Sequence, residues 1–226
     1  MNIVLASIFR NSATYLERWG QQAVILQSEL AMRGHELAVL VAEGDSKDNT
    51  RTCLQRWVYY LRGRVLNLDH GGPEFGSVNK AQRWAQITGV WNDLYRHFDD
   101  IEADAVIHVE SDLIWRPETM RRLLGHLEEV PAVSPMVWHK LPGRFYDTYG
   151  FRKDGANFTY WPPHHPALET QPSDLVQIDT AGSCLVMRAS VARGVWFDPD
   201  AWHPGPSIYC QGASLWLDRK AAVTHP

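Results

Sequence analysis

Two carboxylates separated by one residue stand near the middle of the chain. Glu110 and Asp112 follow the apolar run Ala105–Val109, which is too short for a helix and rich in β-branched residues. Such a run predicts a buried strand, and ligands of open α/β sheets collect beyond the carboxyl ends of strands. Two carboxylates at this spacing can hold one hard divalent cation, directly or through its waters. Alternatively, both are ordinary strand-end residues and Asp112 caps the next helix.

Strands and helices must alternate to place such a site at a sheet edge. Apolar runs predict strands at 3–8, 37–41, 64–68, 105–109 and 132–138. Apolar residues at helical spacing predict helices at about 13–33, through 53–57, at about 78–98 and at 117–129. This alternation predicts a parallel sheet with right-handed crossovers.

The second half of the chain has another character. Residues 143–172 are dense in aromatic residues, glycine and proline and have no helical period. Beyond them the pattern predicts an extended stretch at 174–187, a short turn or helix at 191–193 and a last strand at 221–226. The shift near residue 138 predicts a single domain, 1–226, with one half at 1–138 and the other at 139–226.

Composition limits the classes of function. The 226 residues are 45% hydrophobic, which is ample for a core. A net charge of −4 gives no global basic footprint, which weakens the case for a nucleic-acid partner. The three cysteines lie far apart, and we find neither a signal peptide nor an apolar stretch of ~18 residues. These features predict a cytoplasmic protein without a membrane span.

Two polar segments together resemble a known family. Glu43-Gly-Asp-Ser-Lys-Asp-Asn-Thr50 resembles the Glu-Gly-Ser-x-Asp-x-Thr signature that closes the second strand of family 2-like GT-A glycosyltransferases, and Glu110-Ser-Asp112 stands where that family has its Asp-x-Asp motif. The resemblance implies an α/β fold of GT-A type, with an open, mostly parallel central sheet flanked by helices. It implies a nucleotide-diphosphate sugar as donor, with Glu43, Ser46 and Asp48 on the nucleoside. Alone, the first segment is also typical of a solvated turn with helix caps.

A metal site is the second implication of this resemblance. Glu110, Asp112 and His225 would hold Mn²⁺ or Mg²⁺, since a histidine near the chain end completes the metal site in many members of the family. The cation would neutralise charge on the leaving diphosphate. Ser111, between the two acids, is counted with the donor-binding residues. A lone histidine at such a position is otherwise typical of a frayed terminus.

Two basic residues follow the glycine-rich loop 69–76. Lys80 and Arg83 lie one turn apart on the predicted helix, a spacing that places both on one face. In the family this region approaches the diphosphate, so both are candidate donor contacts. The alternative is a pair of solvated helix charges.

The residue that would deprotonate the acceptor is less clear from the sequence. The segment 179–190 is similar to the small-residue strand that backs the acceptor site in the family, and inverting members carry an acidic pair after it that includes the base. Here Gln211 stands where a carboxylate would serve, and an amide cannot act as a base. Either Asp179, with Asp198 as second choice, is the base, or the enzyme retains anomeric configuration. Asp179 could equally be a structural carboxylate that accepts backbone hydrogen bonds.

The sequence therefore predicts a metal-dependent hexosyl- or pentosyltransferase. Its hydroxyl acceptor would be a glycan or a hydroxymethylated base in DNA, and the second case would place a phage-encoded protein in the host cytoplasm. One alternative is a nucleotidyltransferase, which would be expected to carry a glycine-rich basic loop after the first strand, where 8–12 has no glycine. Another is a non-catalytic carbohydrate- or nucleic-acid-binding module that uses its ten tryptophans as stacking platforms.

Overall fold

A central sheet of eight strands is flanked by helices in the computed structural model, which describes residues 1–75, 80–197 and 213–226. The strands in chain order are β1 (Asn2–Phe9), β2 (Glu36–Glu43), β3 (Arg64–Asn67), β4 (Ala105–Val109), β5 (Ala132–His139), β6 (Arg152–Lys153), β7 (Ala156–Asn157), β8 (Leu175–Ile178), β9 (Cys184–Arg188) and β10 (Leu215–His225). The helices are α1 (Ala13–Ala31), α2 (Thr50–Tyr60), α3 (Ala81–Tyr95), α4 (Pro117–His126), α5 (Pro166–Thr170) and α6 (Ala189–Ala192). Strands β6 and β7 form a separate two-stranded sheet.

The central sheet is mostly parallel, which confirms the predicted fold class. Its order is β3-β2-β1-β4-β9-β5-β10-β8. Strands β1 to β4 pair in parallel with one another, and so do β5 and β10. Strand β9 is antiparallel to both β4 and β5, and β8 is antiparallel to β10 at the edge. These two strands are the antiparallel members of the mostly parallel sheet.

The chain order of β8 and β9 explains this difference. The single extended stretch expected at 174–187 is two strands, and the turn between them carries the chain from the edge of the sheet to its middle. Both strands are short and apolar, so the local sequence does not indicate whether they run parallel or antiparallel to their neighbours. Their pairing is decided by long-range contacts with β4, β5 and β10.

Buried residues of β1, β4 and α1 belong to one hydrophobic core. All five residues of β4 are buried, as expected for a strand covered on both faces. Trp19 of α1 is fully buried, packs edge-on against Phe9 of β1 and donates its indole N–H to Ser7 Oγ over 3.2 Å. The carboxyl ends of β1 and β4, from which the site is built, are thus fixed by the core.

Two predicted element boundaries were wrong. Helix α3 begins at Ala81, and Lys80 before it is extended, with φ −132° and ψ 133°. Lys80 therefore lies outside the helix that was expected to place it beside Arg83. The last strand begins at Leu215, six residues earlier than expected, and a register shift between Asp218 and Ala222 interrupts its pairing with β5. None of the described helices combines the length and apolarity needed to cross a membrane.

Candidate active site

The turn that follows β4 holds the two predicted metal ligands at the sheet edge. The Glu110 N–H donates to Ser183 O over 2.9 Å, which ties the turn to the start of β9. On the other side, Arg18 of α1 donates to Asp112 O over 2.6 Å. Because a main-chain hydrogen bond to Ser183 and a side-chain hydrogen bond from Arg18 fix the backbone of this turn, its carboxylates are held in place before any ligand binds.

Strand β10 carries His225 to the same turn. The backbones of Thr224 and Ile114 exchange two hydrogen bonds of 2.8 Å, so the end of β10 pairs directly with the segment after Asp112. His225 Nε2 then lies 2.9 Å from Asp112 Oδ2. Asp112 Oδ1 is buried and has no hydrogen-bond partner in the described part of the chain. The structure therefore brings together two of the three predicted ligands and leaves one carboxylate oxygen free.

A third carboxylate, Asp147, lies in one cluster with Glu110 and Asp112, and no sequence motif pointed to it. Asp147 Oδ1 accepts from the Gly150 N–H over 2.8 Å, and Oδ2 accepts from the Ser183 hydroxyl over 2.9 Å. A Cβ atom at Gly150 or Gly182 would lie only 2.7 or 2.6 Å from these oxygens. The carboxylate thus occupies a cradle that needs glycine at both walls. Asp147 lies in an irregular aromatic segment and belongs to no motif. The small residues around it are the one sequence signal that could have indicated a buried carboxylate here.

Negative charge accumulates in this cluster. Burial raises the pKa of Glu110 to about 8, and the carboxylates of Asp112 and Asp147 add to the effect, while Arg83 and the hydroxyl of Ser183 oppose it. Burial also raises the pKa of Asp147, against its hydrogen bonds and the nearby His225. The site favours a bound cation or proton, because several buried acids share one region.

A cavity of about 440 Å³ opens in front of the acidic turn. Its size suits a small-molecule ligand. Its walls come from the end of β1, the loop before α3, α3 itself and the turn after β4, and its polar lining residues are Arg10, Asn11, Ser12, Tyr15, His70, Glu74, Arg83, Gln86, Trp91, Glu110, Ser111 and Asp112. The cavity therefore contains three of the predicted site residues from the turn, together with Arg83.

The predicted nucleoside residues lie behind this cavity and outside its lining. Glu43 is fully buried, and its Oε2 accepts a hydrogen bond from Arg51 Nε over 2.7 Å. Its Oε1 has no hydrogen-bond partner among the described residues. Ser46 Oγ accepts from the Asn11 N–H over 3.0 Å. Asp48 accepts from the backbone N–H groups of Thr50 and Ala13 over 2.9 and 3.1 Å, so both of its oxygens serve the helix starts. A direct role of these three residues stays a prediction.

A charged pair that was not singled out from the sequence reaches the cavity wall instead. Arg10 contacts Asp45 Oδ2 at 2.9 Å, and Asp45 Oδ1 accepts from the His70 N–H over 3.2 Å. Burial lowers the pKa of His70, and Arg10 contributes to this effect against Asp45. Asp45 belongs to the polar segment that carried the family resemblance; it does not line the cavity itself, but it holds Arg10 and His70, which do.

The two predicted basic residues are separated by the structure. Arg83 lines the cavity on the side of Glu110. Lys80 is exposed, and its ammonium lies 5.6 Å from the centre of the Phe75 ring. Only Arg83 is therefore placed to meet an anion held at the acidic turn.

The predicted base is not part of the cluster. Asp179 follows the end of β8, is exposed, and its Oδ2 accepts from the Gly155 N–H over 2.9 Å. This position favours the structural alternative, although the catalytic role itself stays a prediction. Gln211 and Asp198 lie outside the described residues. Within the described ranges, no group of three or more histidine, cysteine, aspartate or glutamate side chains is close enough to hold a metal ion.

Solved structures of other proteins share this arrangement of elements. TarS residues 1–349 from S. aureus, in complex with UDP-GlcNAc, superimposes with a TM-score of 0.61 at 15% identity, over 99% of this chain and 58% of that chain. The mannosyltransferase PcManGT from Pyrobaculum calidifontis, in complex with GDP-Man and Mn²⁺, gives a TM-score of 0.59 at 14% identity, over 98% and 56%. The chain has a GT-A-type glycosyltransferase fold. It spans less than three fifths of the length of these two GT-A structures. No protein-family model and no curated protein matches its sequence.

Proposed function

We propose that this chain transfers a sugar from a nucleotide-diphosphate sugar to a hydroxyl acceptor with the help of a divalent cation. The observation that carries the proposal is the contact of His225 Nε2 with Asp112 Oδ2 at 2.9 Å, beside a cavity that Asp112 itself lines. The GT-A-type fold and the nucleotide-sugars bound to two proteins of the same fold support it.

Asp112 and His225 could supply two ligands of a metal ion. Asp112 Oδ1 is buried and has no hydrogen-bond partner among the described residues, and such an oxygen is costly unless a ligand satisfies it. His225 Nδ1 lies 3.2 Å from Pro226 O; when Nδ1 carries the proton for this bond, Nε2 turns a lone pair towards the carboxylate. In that tautomer, a cation bound by both Nε2 and the carboxylate would offset the repulsion between the lone pair and the carboxylate oxygen. Asp112 and His225, with Glu110 as the third predicted ligand, would hold the cation.

A nitrogen ligand next to carboxylates bears on the choice of metal. Magnesium sites are built from oxygen ligands and water, so His225 favours Mn²⁺ over Mg²⁺. The bound cation would neutralise charge that develops on the leaving diphosphate. The other contacts with the donor would come from protein side chains.

Arg83 and the cavity wall would orient the donor. The guanidinium of Arg83 faces the same space as Glu110 and can bind a phosphate oxygen or a sugar hydroxyl near it. Arg10 and His70, held by Asp45, form the wall further from the acidic turn and suit the nucleoside end. The acids of the turn and Arg83 would together hold the diphosphate, so the sugar–phosphate bond that is broken would lie near Asp112.

Isothermal titration calorimetry with UDP and GDP, with and without Mn²⁺, tests the proposal. We expect binding that depends on Mn²⁺ and, with the matching nucleotide-sugar, slow hydrolysis that releases UDP or GDP. Release of pyrophosphate would instead indicate a nucleotidyltransferase. Absence of nucleotide binding at saturating Mn²⁺ would leave the protein as a non-catalytic binding module and overturn the proposal.

A further inference from the structure

A surface of basic side chains and aromatic rings adjoins His225. We call it the cation–aromatic surface; it consists of the exposed residues Lys140, Tyr149, Tyr160 and Trp161 and of the half-buried His139 and Arg144. The turn after β5 closes when His139 N–H donates to Arg144 O over 2.8 Å, and Lys140 N–H donates to His225 O over 3.0 Å. The main chain thus fixes the cations of this turn next to the predicted metal ligand.

The aromatic part of the surface is continuous with the cations. The guanidinium of Arg144 lies 4.7 Å from the centre of the Tyr160 ring, and the electrostatic interaction with Tyr160 is the largest cause that raises the pKa of Tyr149. Trp161 follows Tyr160 and is 58% exposed. Large flat side chains that remain in water beside a site are typical of a ligand-binding surface.

The cations of this surface are not neutralised by acids. Neither Lys140 nor Arg144 forms a salt bridge with any described residue, whereas Lys153 pairs with Asp154 at 2.9 Å. The surface is therefore locally positive, although the whole chain carries a net charge of −4.

We propose that the cation–aromatic surface binds the acceptor, and that this acceptor is a single-stranded nucleic acid. This inference rests on the proposed function, because it assigns the acceptor side of the same site. Lys140 and Arg144 would contact phosphates, and the rings of Tyr149, Tyr160 and Trp161 would stack on bases. Unpaired cations disfavour a neutral glycan, and exposed flat rings disfavour a phosphate polymer without bases. A strand on this surface would present a hydroxyl group next to His225 and Asp112.

The test is binding of fluorescein-labelled oligothymidylate, measured by anisotropy over a range of salt concentrations. Each phosphate contact on a single strand contributes a slope of about 0.7 to log K against log salt, so the double variant Lys140→Gln, Arg144→Gln should lower the slope by roughly 1.4. Tyr160→Ala should weaken binding about tenfold, as expected for loss of one stacked base. The matched control, Arg56→Gln with Arg62→Gln, removes two exposed charges near β3 at the other end of the sheet and should leave the slope unchanged.

The outcomes separate this inference from the proposed function. Failure of oligothymidylate to bind at low salt, while UDP or GDP still binds with Mn²⁺, overturns the acceptor assignment alone. Equal loss of slope in the control variant means that binding follows net charge and also overturns it. Salt-independent binding of a neutral oligosaccharide such as maltohexaose, lost in Tyr160→Ala, would identify the surface as a glycan site instead. Absence of both nucleotide and oligothymidylate binding would sink both proposals.

Discussion

The ring of Tyr146 lies face to face with the imidazole of His225, with centroids 3.7 Å apart and planes 10° from parallel. This stack holds the imidazole edge towards Asp112, since a ring pressed against a flat neighbour can turn only within its own plane. Tyr146 thus orients a predicted metal ligand through the face of its ring.

We therefore expect Tyr146→Leu to weaken Mn²⁺-dependent nucleotide binding about tenfold, the lower end of the effect of residues that orient metal ligands. Tyr146→Phe keeps the flat ring and should bind as the parent does. Tyr60→Leu, at an exposed tyrosine of α2, is the control. Calorimetric titration with Mn²⁺ and nucleotide measures the effect, and equal affinities for Tyr146→Leu and the parent would show that the stack has no orienting role.

Asp112→Asn should abolish Mn²⁺-dependent nucleotide binding while the fold stays intact. Asp112 Oδ1 makes no hydrogen bond to any described residue, and the contact of Oδ2 with His225 is partly exposed. Loss of this contact therefore costs at most about 1 kcal/mol of stability. The control is Asp93→Asn, which removes an equivalent charge from an exposed pair with Arg96. Thermal unfolding and calorimetry check both expectations; a variant that binds nucleotide with Mn²⁺ as the parent does would remove Asp112 from the site.

Gly182→Ala should destabilise the protein by about 1–3 kcal/mol, because the new Cβ would lie 2.6 Å from Asp147 Oδ2 and overpack a buried carboxylate. Gly89→Ala is the matched control in the middle of α3, where a Cβ meets nothing within 4 Å. The control should stabilise by about 0.8–1 kcal/mol through helix propensity. Urea unfolding measures both changes. If the two variants change stability in the same direction, the cradle around Asp147 is less rigid than the structure indicates.

The pH dependence of stability should carry the signature of Glu110. Its pKa in the folded state is about 8, above the ordinary value of 4.5, so folding favours the protonated form. The stability that Glu110 contributes is complete below pH 4.5 and is lost as the pH rises towards 8, with a slope of at most about 1.4 kcal/mol per pH unit. Apparent Mn²⁺ affinity should rise over the same interval, since cation and proton compete.

Glu110→Gln should flatten both profiles, and Glu128→Gln, at an exposed residue, should leave them unchanged. Urea unfolding and Mn²⁺ titration across this pH range give the two curves. Parallel stability profiles for the parent and Glu110→Gln would show that Glu110 is ionised throughout.

Asp179→Asn decides between the two interpretations of that residue. Loss of a general base costs about 10²–10⁴-fold in rate, and a base would leave a product of inverted configuration. Because Asp179 is exposed and bonded to the Gly155 N–H, we expect a loss of less than tenfold in transfer. A hundredfold loss with unchanged nucleotide affinity and an inverted product, identified by NMR, would restore Asp179 as the base.

The sequence by itself determined the features that depend on neighbouring residues. The apolar run of β4 and the acids that follow it located the acidic turn, because a buried strand and its polar end are written within a few residues. The resemblance to GT-A glycosyltransferases predicted the mostly parallel sheet. It also predicted that His225 and Asp112 share one site, and the two side chains are in contact in the structure.

Tertiary structure alone decided what depends on contacts between distant segments. Asp147 joins the cluster only because Gly150 and Ser183 fold around it, and no local pattern encodes such a cradle. Strand β9 enters between β4 and β5 because pairing partners are chosen by packing, which strand propensity does not specify. Asp48 accepts hydrogen bonds from the starts of two helices, whereas Asp45 pairs with Arg10, a residue of the cavity wall. A carboxylate in a turn has several partners within reach, and the fold selects among them.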